Sequence, residues 1–326
     1  MALPKMNRRE LLKNGLAGAA LLGAGGCSPM SWLGREPAPW RRPAHLVPVE
    51  VSLDRVIRTT VGLRPFRESG FLLRADQLDD CMLIHNYGHG GSGMSLSWGT
   101  AQLAADLALQ HTARDAAVIG CGVVGLTTAR MLQRRGFTVT IYARALPPET
   151  TSNMSWASFT PTSGLVSPQR RTAAWDEQFR KAVDIAYREL QLLVGRRIGL
   201  SWIDEYGPMQ NLPAGTTALE NGRAAGERNN GGDPMLPDGM ILGREILSPG
   251  QHPFNTRYAR RRPSLRFEPS VYLDALMRDV LTFGGRIVVR SFDTPRDLVA
   301  LPERLIVNCT GLGSKQLFGE AELMPV

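Results

Sequence analysis

Three glycines at fixed spacing carry the clearest chemistry in this chain. Gly120, Gly122 and Gly125 lie in the run Gly120-Cys121-Gly122-Val123-Val124-Gly125, directly after the short apolar run Ala116-Ala117-Val118-Ile119. A strand ending there needs a tight turn, which Gly120 permits; Gly122 lets the backbone approach a pyrophosphate; Gly125 lets the next helix pack closely on the strand. The amino terminus of that helix then faces the negative charge. A bare Gly-x-Gly-x-x-Gly is weak evidence. Here, however, Leu126 to Arg135 predicts a helix, Gly136 stops it, and Phe137 to Tyr142 predicts a second strand. Strand, turn, helix and strand together imply a dinucleotide site. The glycines do not say which dinucleotide. An acidic residue usually ends the second strand and takes the ribose hydroxyls, but Arg144 stands there. Arginine favours a 2′-phosphate, so an NADP-dependent reductase is one reading; in the other, Arg144 is merely exposed and Glu149, Thr150 or Ser152 holds the ribose.

Other elements must position this turn. Ala174 to Leu193 and Tyr272 to Leu281 have apolar residues near helical spacing, and Gly284-Gly285 separates the second from a strand at Arg286 to Arg290. Trp202 to Met240 is rich in glycine and asparagine and predicts loops or short strands, which a substrate-covering domain tolerates better than a nucleotide-binding core. Leu305 to Gly311 is a buried strand ending in glycine at a sheet edge. Helices alternating with short apolar strands make the class α/β. At 326 residues with 43% hydrophobic content, the chain can bury one large unit or two domains sharing an interface, and it is globular rather than disordered.

Charge and cysteine content exclude some roles. The net charge of +8 comes almost wholly from arginine, since Lys5, Lys13, Lys181 and Lys315 are the only lysines. The arginines are scattered apart from a few pairs and the run Arg260, Arg261 and Arg262, which describes solvated surface rather than a nucleic-acid footprint. Cys27, Cys81, Cys121 and Cys309 form no CxxC pair, so no disulfide framework is indicated. Cys81, His85 and His89 are four apart but run into a glycine-rich loop rather than along a helix face, and no metal site is expected.

The amino terminus reads as an address. Asn7-Arg8-Arg9-Glu10-Leu11-Leu12-Lys13 is a twin-arginine pattern, followed by an uncharged run from Gly15 to Gly26. That run is far shorter than the roughly 20 residues of a spanning helix, so it fits a signal peptide. The twin-arginine route exports folded proteins, which suits a protein that must load its cofactor first. Cys27, preceded by Ala24-Gly25-Gly26, resembles a lipoprotein acceptor and could tether the protein to a membrane; otherwise it is a plain buried or cleaved-off cysteine. The expected location is periplasmic or membrane-anchored.

Val118 to Pro161 resembles the start of the FAD-dependent D-amino-acid oxidase family, whose FAD-binding strand, glycine turn and Thr-Thr-rich loop match Thr150-Thr151-Ser152 without a gap. Ile306 to Gly311 resembles the family's Val-Asn-Cys-Thr-Gly strand end. Val61-Gly62-Leu63-Arg64-Pro65-Phe66-Arg67 and Ile84-His85-Asn86-Tyr87-Gly88-His89-Gly90-Gly91-Ser92-Gly93-Met94 resemble its carboxyl-terminal signatures. In the family these come last; here they come first. Circular permutation is the simplest explanation, with a helix at Trp98 to Gln110 running into the strand at Ala116 through the link His111 to Asp115. The resemblance covers most of residues 55 to 326, with 203 to 250 unmatched. The family continues beyond the match to Asn308–Gly311 through strands whose tyrosines cover the substrate, whereas this chain stops at Leu323-Met324-Pro325-Val326. Either a segment is missing or that wall is supplied another way.

The resemblance implies a Rossmann-like FAD-binding domain with a second, smaller α+β substrate domain. The layout expected is a signal at 1–27, a proline-rich tether at 28–48, the permuted segment at 49–110, the FAD-binding βαβ at 111–168, the substrate domain at 169–283, and a return to the FAD-binding domain at 284–326. Arg64 would bind the substrate carboxylate through two parallel donors, with Gly91 beside it; Arg67 would be a bystander. FAD would lie across Gly120, Gly122, Val123, Val124, Gly125, Thr151, Ser152, Val289, Thr310 and Gly311, with Gly90, Gly91, Ser92, Gly93, Met94 and Ser95 along the flavin. His85 and His89 would brace the loop rather than act as acid and base. The activity implied is oxidative deamination of a D-amino acid or related amine, with molecular oxygen as acceptor and peroxide released, and no protein acid or base is obligatory. The rivals are the NADP-dependent reductase and a noncatalytic flavin-binding exported protein.

Overall fold

The apolar run before the glycine turn has no polar face because it lies in mid-sheet. The computed structural model describes residues 46, 49–212, 219–220, 223–224, 233–237, 240 and 245–326. In chain order its strands and helices begin with β1 (Pro65–Arg67), β2 (Leu72–Leu78), β3 (Cys81–Tyr87), α1 (Gly93–Ala108), β4 (Asp115–Ile119), α2 (Val123–Arg134), β5 (Thr138–Ala143) and α3 (Ala173–Leu193). They continue with β6 (Leu200–Met209), β7 (Leu219–Glu220), β8 (Arg223–Ala224), β9 (Glu245–Leu247), β10 (Tyr258–Phe267) and α4 (Pro269–Thr282). The last are β11 (Arg286–Val289), α5 (Pro295–Val299), β12 (Leu305–Asn308), α6 (Gly313–Phe318) and β13 (Leu323–Pro325).

The main sheet has six strands in the order β11-β5-β4-β12-β3-β2. The first five are parallel, and β2 closes the edge antiparallel to β3. Parallel strands need cover on both faces, and alternate residues of β4 supply it. Ala116 and Val118 join one buried cluster with Leu126, Leu132 and Phe179, while Ala117 and Ile119 join another with Leu298, Leu301 and Leu317. Each fully buried Leu or Ile contributes roughly 1.5–3 kcal/mol by leaving water.

A second sheet, β6-β10-β9, is antiparallel. Up to Met209 the structure differs from the loops or short strands expected over Trp202 to Met240, whereas β7 and β8 are short as expected. β6 is ten residues long and pairs with β10 along its whole length, from Leu200↔Phe267 to Met209↔Tyr258. Both glycine-rich turns also end sooner than expected. α2 begins at Val123 rather than Leu126, and α1 begins at Gly93 rather than Trp98, so Gly93, Met94 and Ser95 form a first helical turn and not a loop. By their contacts, the described residues between 49 and 249 and between 254 and 326 form one compact unit. Arg8, Arg9 and Cys27 lie outside the described residues. Among the described residues, no helix is long and apolar enough to cross a membrane.

Candidate functional site

The site is built outward from the carboxyl ends of the parallel strands. β4 runs into Gly120, whose φ of +113 only glycine holds readily and where a Cβ would stand 2.6 Å from the Cys309 carbonyl oxygen. Three residues on, α2 starts, and a Cβ on Gly125 would meet the Gly120 carbonyl at 2.0 Å, so strand end and helix are in direct backbone contact. The Val123 N–H at the head of α2 donates to Ser152 Oγ at 3.0 Å. Val124, partly buried, continues that first turn, and Thr151 is exposed beside Ser152. Burial pushes the Cys121 thiol up to about 12, making it a packed apolar group and not a nucleophile.

The neighbouring strands deliver the other predicted residues to the same end of the sheet. β11 ends at Val289, paired with Ala143 at the end of β5, and exposed Arg144 follows it. β12 ends at Asn308, whose Oδ1 accepts from the Thr310 N–H at 3.1 Å and the Thr310 hydroxyl at 2.8 Å, with Gly311 next in a left-handed turn. β3, directly beside β12, leads into the turn Gly90–Ser92. In open α/β sheets the ligand crevice lies at these carboxyl ends.

The two glycine strings are in contact. A Cβ on Gly93 would lie 3.9 Å from Val123 Cγ1. Between them runs the loop after β5. The Gly91 N–H donates to the Ser163 carbonyl at 3.0 Å, the Ser92 hydroxyl donates to the Thr160 carbonyl at 3.1 Å, and Ser95 Oγ accepts the Thr160 N–H at 2.8 Å. Gly90, at φ +53, would drive a Cβ to within 1.7 Å of the Gly164 carbonyl. Because its N–H is already engaged, Gly91 offers a missing side chain rather than a free donor. Met94 is buried against the core.

Arg64 and Arg67 occupy opposite environments. Arg64 is exposed, and its Nη1 lies 3.3 Å from the position of a Cβ on Gly91 and 3.6 Å from one on Gly164. Its backbone is fixed by Val326, with Arg64 N–H donating at 2.7 Å and Arg64 C=O accepting at 3.1 Å. Among the described residues no carboxylate pairs with its guanidinium. Arg67 is buried, ion-paired to Glu322 at 3.1 Å and Glu320 at 3.4 Å, and donates to the Gly70 carbonyl at 2.8 Å.

The two histidines brace this framework. His85 accepts at Nδ1 from Asn308 Nδ2 at 3.2 Å and faces Asp76 through Nε2 at 3.3 Å; burial holds its pKa below the usual histidine value. His89 bonds the Thr100 hydroxyl at 3.0 Å and stacks on Phe71 with ring centroids 5.4 Å apart. Burial pushes its pKa down to about 3, so it is neutral.

Thr160, Ser163, Gly164 and Asn308 are the site residues that pattern reading missed. The cluster Thr160-Pro161-Thr162-Ser163-Gly164 carries an ordinary turn signal, and nothing in it announces contact with a segment some 70 residues earlier in the chain. A diphosphate-bearing dinucleotide fits the residues present. The turn at Gly122 is bare, a Cβ there would stand 3.0 Å from Ser152 Oγ, and the amino terminus of α2 supplies the favourable dipole.

Comparison with known proteins gives this fit a context. The profile of the family described as FAD dependent oxidoreductase, DAO, matches residues 36–107 and 115–326. A D-amino-acid oxidase of Streptomyces coelicolor is 50% identical over 68 residues, covering 21% of this chain and 21% of that protein. A D-amino-acid oxidase of Dictyostelium discoideum is 26% identical over 214 residues, covering 64% of this chain and 54% of its own length. A D-aspartate oxidase of Homo sapiens is 25% identical over 212 residues, covering 64% of this chain and 57% of its own length. The chain thus spans about half the length of the latter two relatives.

Proposed function

This chain belongs to the FAD-dependent oxidoreductase family, and from that premise we propose that it oxidises a small amine bearing a carboxylate, a D-amino acid foremost. The substrate loses two electrons and becomes an imino acid, water hydrolyses this to an oxo acid and ammonia, and oxygen takes the electrons to become peroxide. The observation that carries the reading is Arg64: an exposed guanidinium without a carboxylate partner among the described residues, set against Gly91 and Gly164. Leaving such a group unpaired is sensible where a ligand carboxylate is to be received bidentately.

FAD, when bound, supplies the hydride acceptor. The chain's own residues then hold and orient. Gly120 to Gly125 with Thr151 and Ser152 would take the pyrophosphate region, Val289 the nucleoside end, and Thr310, Gly311 and the Gly90–Ser95 string the remainder. Arg64 would fix the substrate by its carboxylate, so that the single hydrogen on Cα is presented in one orientation and one enantiomer is favoured. His85 and His89, neutral and engaged in the framework, leave proton removal from the substrate ammonium to solvent. The family's dinucleotide is FAD, so Arg144 needs no 2′-phosphate to explain it.

Two further elements belong to the same reading. The front segment, 49–110, is a permuted piece of the family's fold, a reading favoured by the order of the motifs along the chain and by the pairing of β3 beside β12. The protein is exported through Arg8 and Arg9, with Cys27 as a tether. The test of the activity is to release the cofactor from purified protein by heat and identify it, then to assay peroxide with D- and L-amino acids. FAD with peroxide from D-amino acids supports the proposal; FAD with no peroxide from any amine supports a noncatalytic flavin-binding protein instead.

A further inference from the structure

Among the described residues no carboxylate holds the Arg64 guanidinium, so its place depends on its backbone. That backbone belongs to a short ladder. β1 and β13 pair from Pro65↔Pro325 to Arg67↔Leu323, and the Arg64 N–H and C=O extend the pairing to Val326. A two-stranded ladder this short is marginal in water by itself. Arg67, three residues after Arg64, supplies what the ladder lacks. Its guanidinium bridges two carboxylates on the segment leading into β13, with Nη2 3.1 Å from Glu322 and Nε 3.4 Å from Glu320, while Nη1 donates to the Gly70 carbonyl at 2.8 Å. Both carboxylates are held from a second side. The Tyr87 hydroxyl, at the end of β3, donates to Glu320 at 2.8 Å, and the Ser69 hydroxyl donates to Glu322. The stem of Arg67 is as closely seated as its head. A Cβ on Gly88, at φ +85, would stand 2.5 Å from Arg67 Cδ, so the methylene chain lies directly against the backbone there. Three residues later comes Gly91, where a Cβ would stand 3.3 Å from Arg64 Nη1.

One side chain therefore ties β1 both to the segment before β13 and to the end of β3. Arg67 is 8% exposed, and a charge so buried costs free energy that its ion pairs only about offset. Apolar side chains of similar volume would stabilise the ladder as well. What the fork of ion pairs adds is a fixed geometry. We infer that Arg67 is a positioning residue: with Glu320 and Glu322 it fixes β1 on Gly88, and so sets the Arg64 guanidinium beside Gly91 for the substrate carboxylate. It touches no substrate itself, yet it is no bystander. This deepens the reading of Arg64 as the group that receives the carboxylate, and rests on it.

The test is a double-mutant cycle on full-length, FAD-loaded protein. Arg67→Lys keeps the charge but loses the fork that reaches both carboxylates and Gly70. A second variant, Glu320→Gln with Glu322→Gln, keeps the side-chain volumes and removes the two charges that hold Arg67. Peroxide release is read on the fastest of D-alanine, D-serine, D-phenylalanine and D-aspartate. Each variant should lower kcat/KM about tenfold through a raised KM, with kcat within about twofold of the wild type and flavin content equal. In an Arg64→Ala background the same changes should alter kcat/KM by no more than about twofold, because the group they aim is gone. Equal losses in both backgrounds, an unchanged KM, or losses that follow flavin content and thermal stability would make Arg67 merely structural and overturn this inference alone. Wild type that releases no peroxide from any of the four would overturn the reading of Arg64 and this inference with it.

Discussion

Ser95 Oγ accepts the Thr160 N–H at 2.8 Å and donates to the Ser158 carbonyl at 3.5 Å. One serine at the start of α1 thus anchors the loop that leaves β5, and two chain segments some 65 residues apart form a single wall. The Gly91 amide and the Ser92 hydroxyl repeat the connection at Ser163 and Thr160. Arg64 Nη1 lies 3.3 Å from the position of a Cβ on Gly91, two residues before Gly93, where a Cβ would stand 3.9 Å from Val123 Cγ1 at the head of α2.

That wall depends on backbone clearance at Gly90. A Cβ there would meet the Gly164 carbonyl at 1.7 Å, at φ +53. Gly90→Ala should lower the unfolding free energy by about 3 kcal/mol or more, combining steric overlap with left-handed strain. Gly93→Ala, whose Cβ would meet nothing nearer than 3.8 Å and whose position is helical, should change it by no more than about 0.5 kcal/mol. Urea unfolding of the two variants measures the contrast, and equal losses would refute it.

Stability should fall as the solution becomes acidic. His89 has a folded pKa of about 3 through burial, against about 6.5 in an unfolded chain. The folded value is the lower one, so the unfolded chain binds the proton first. The stability contributed is complete above about pH 6.5 and is lost as pH falls toward 3. Between pH 7.5 and 5.0 the loss from His89 is about 2 kcal/mol, and His85, also lowered by burial, adds to it with the same sign. His89→Gln should flatten this slope. Urea unfolding of both proteins at the two pH values checks it, and parallel pH profiles would contradict the assignment.

Much of this arrangement is legible in the residues, and the rest is hidden for identifiable reasons. The run Ala116–Ile119, the glycine turn and Phe137–Tyr142 announce β4, α2 and β5 because apolar strands and glycine spacing are local signals. β3 is not announced: His85 and Asn86 sit in its core-facing run, made tolerable by Asn308 and by the Thr128 hydroxyl, which accepts from Asn86 at 3.1 Å. β6 carries Asp204, Glu205, Gly207 and Pro208, which individually oppose a strand. It forms because β10 lies beside it with Arg261 and Arg262 bonded to Asp204 and Glu205 at 2.7 and 2.8 Å. α1 starts in glycine because the contact with Val123 and the Thr160 loop outweighs poor helix propensity.

Export is tested apart from the fold. Replacing Arg8 and Arg9 together by lysine should leave folded protein in the cytoplasm, since the twin-arginine exporter reads that pair. Fractionation with a protease-protection assay measures it, and undiminished export of the variant would remove that proposal.

The central claim is that Arg64 and the flavin crevice form one substrate site, and Arg64→Ala tests it most directly. The side chain is exposed and has no carboxylate partner among the described residues, so the substitution should leave folding and FAD content unchanged. Losing a bidentate charged contact should cost about 2–5 kcal/mol of transition-state binding, which is roughly 30-fold to several thousandfold in kcat/KM for D-amino acids. Steady-state peroxide release by FAD-loaded wild type and variant measures that ratio. A fall of this size at equal flavin content is the predicted result; equal kcat/KM for the two proteins would contradict the account.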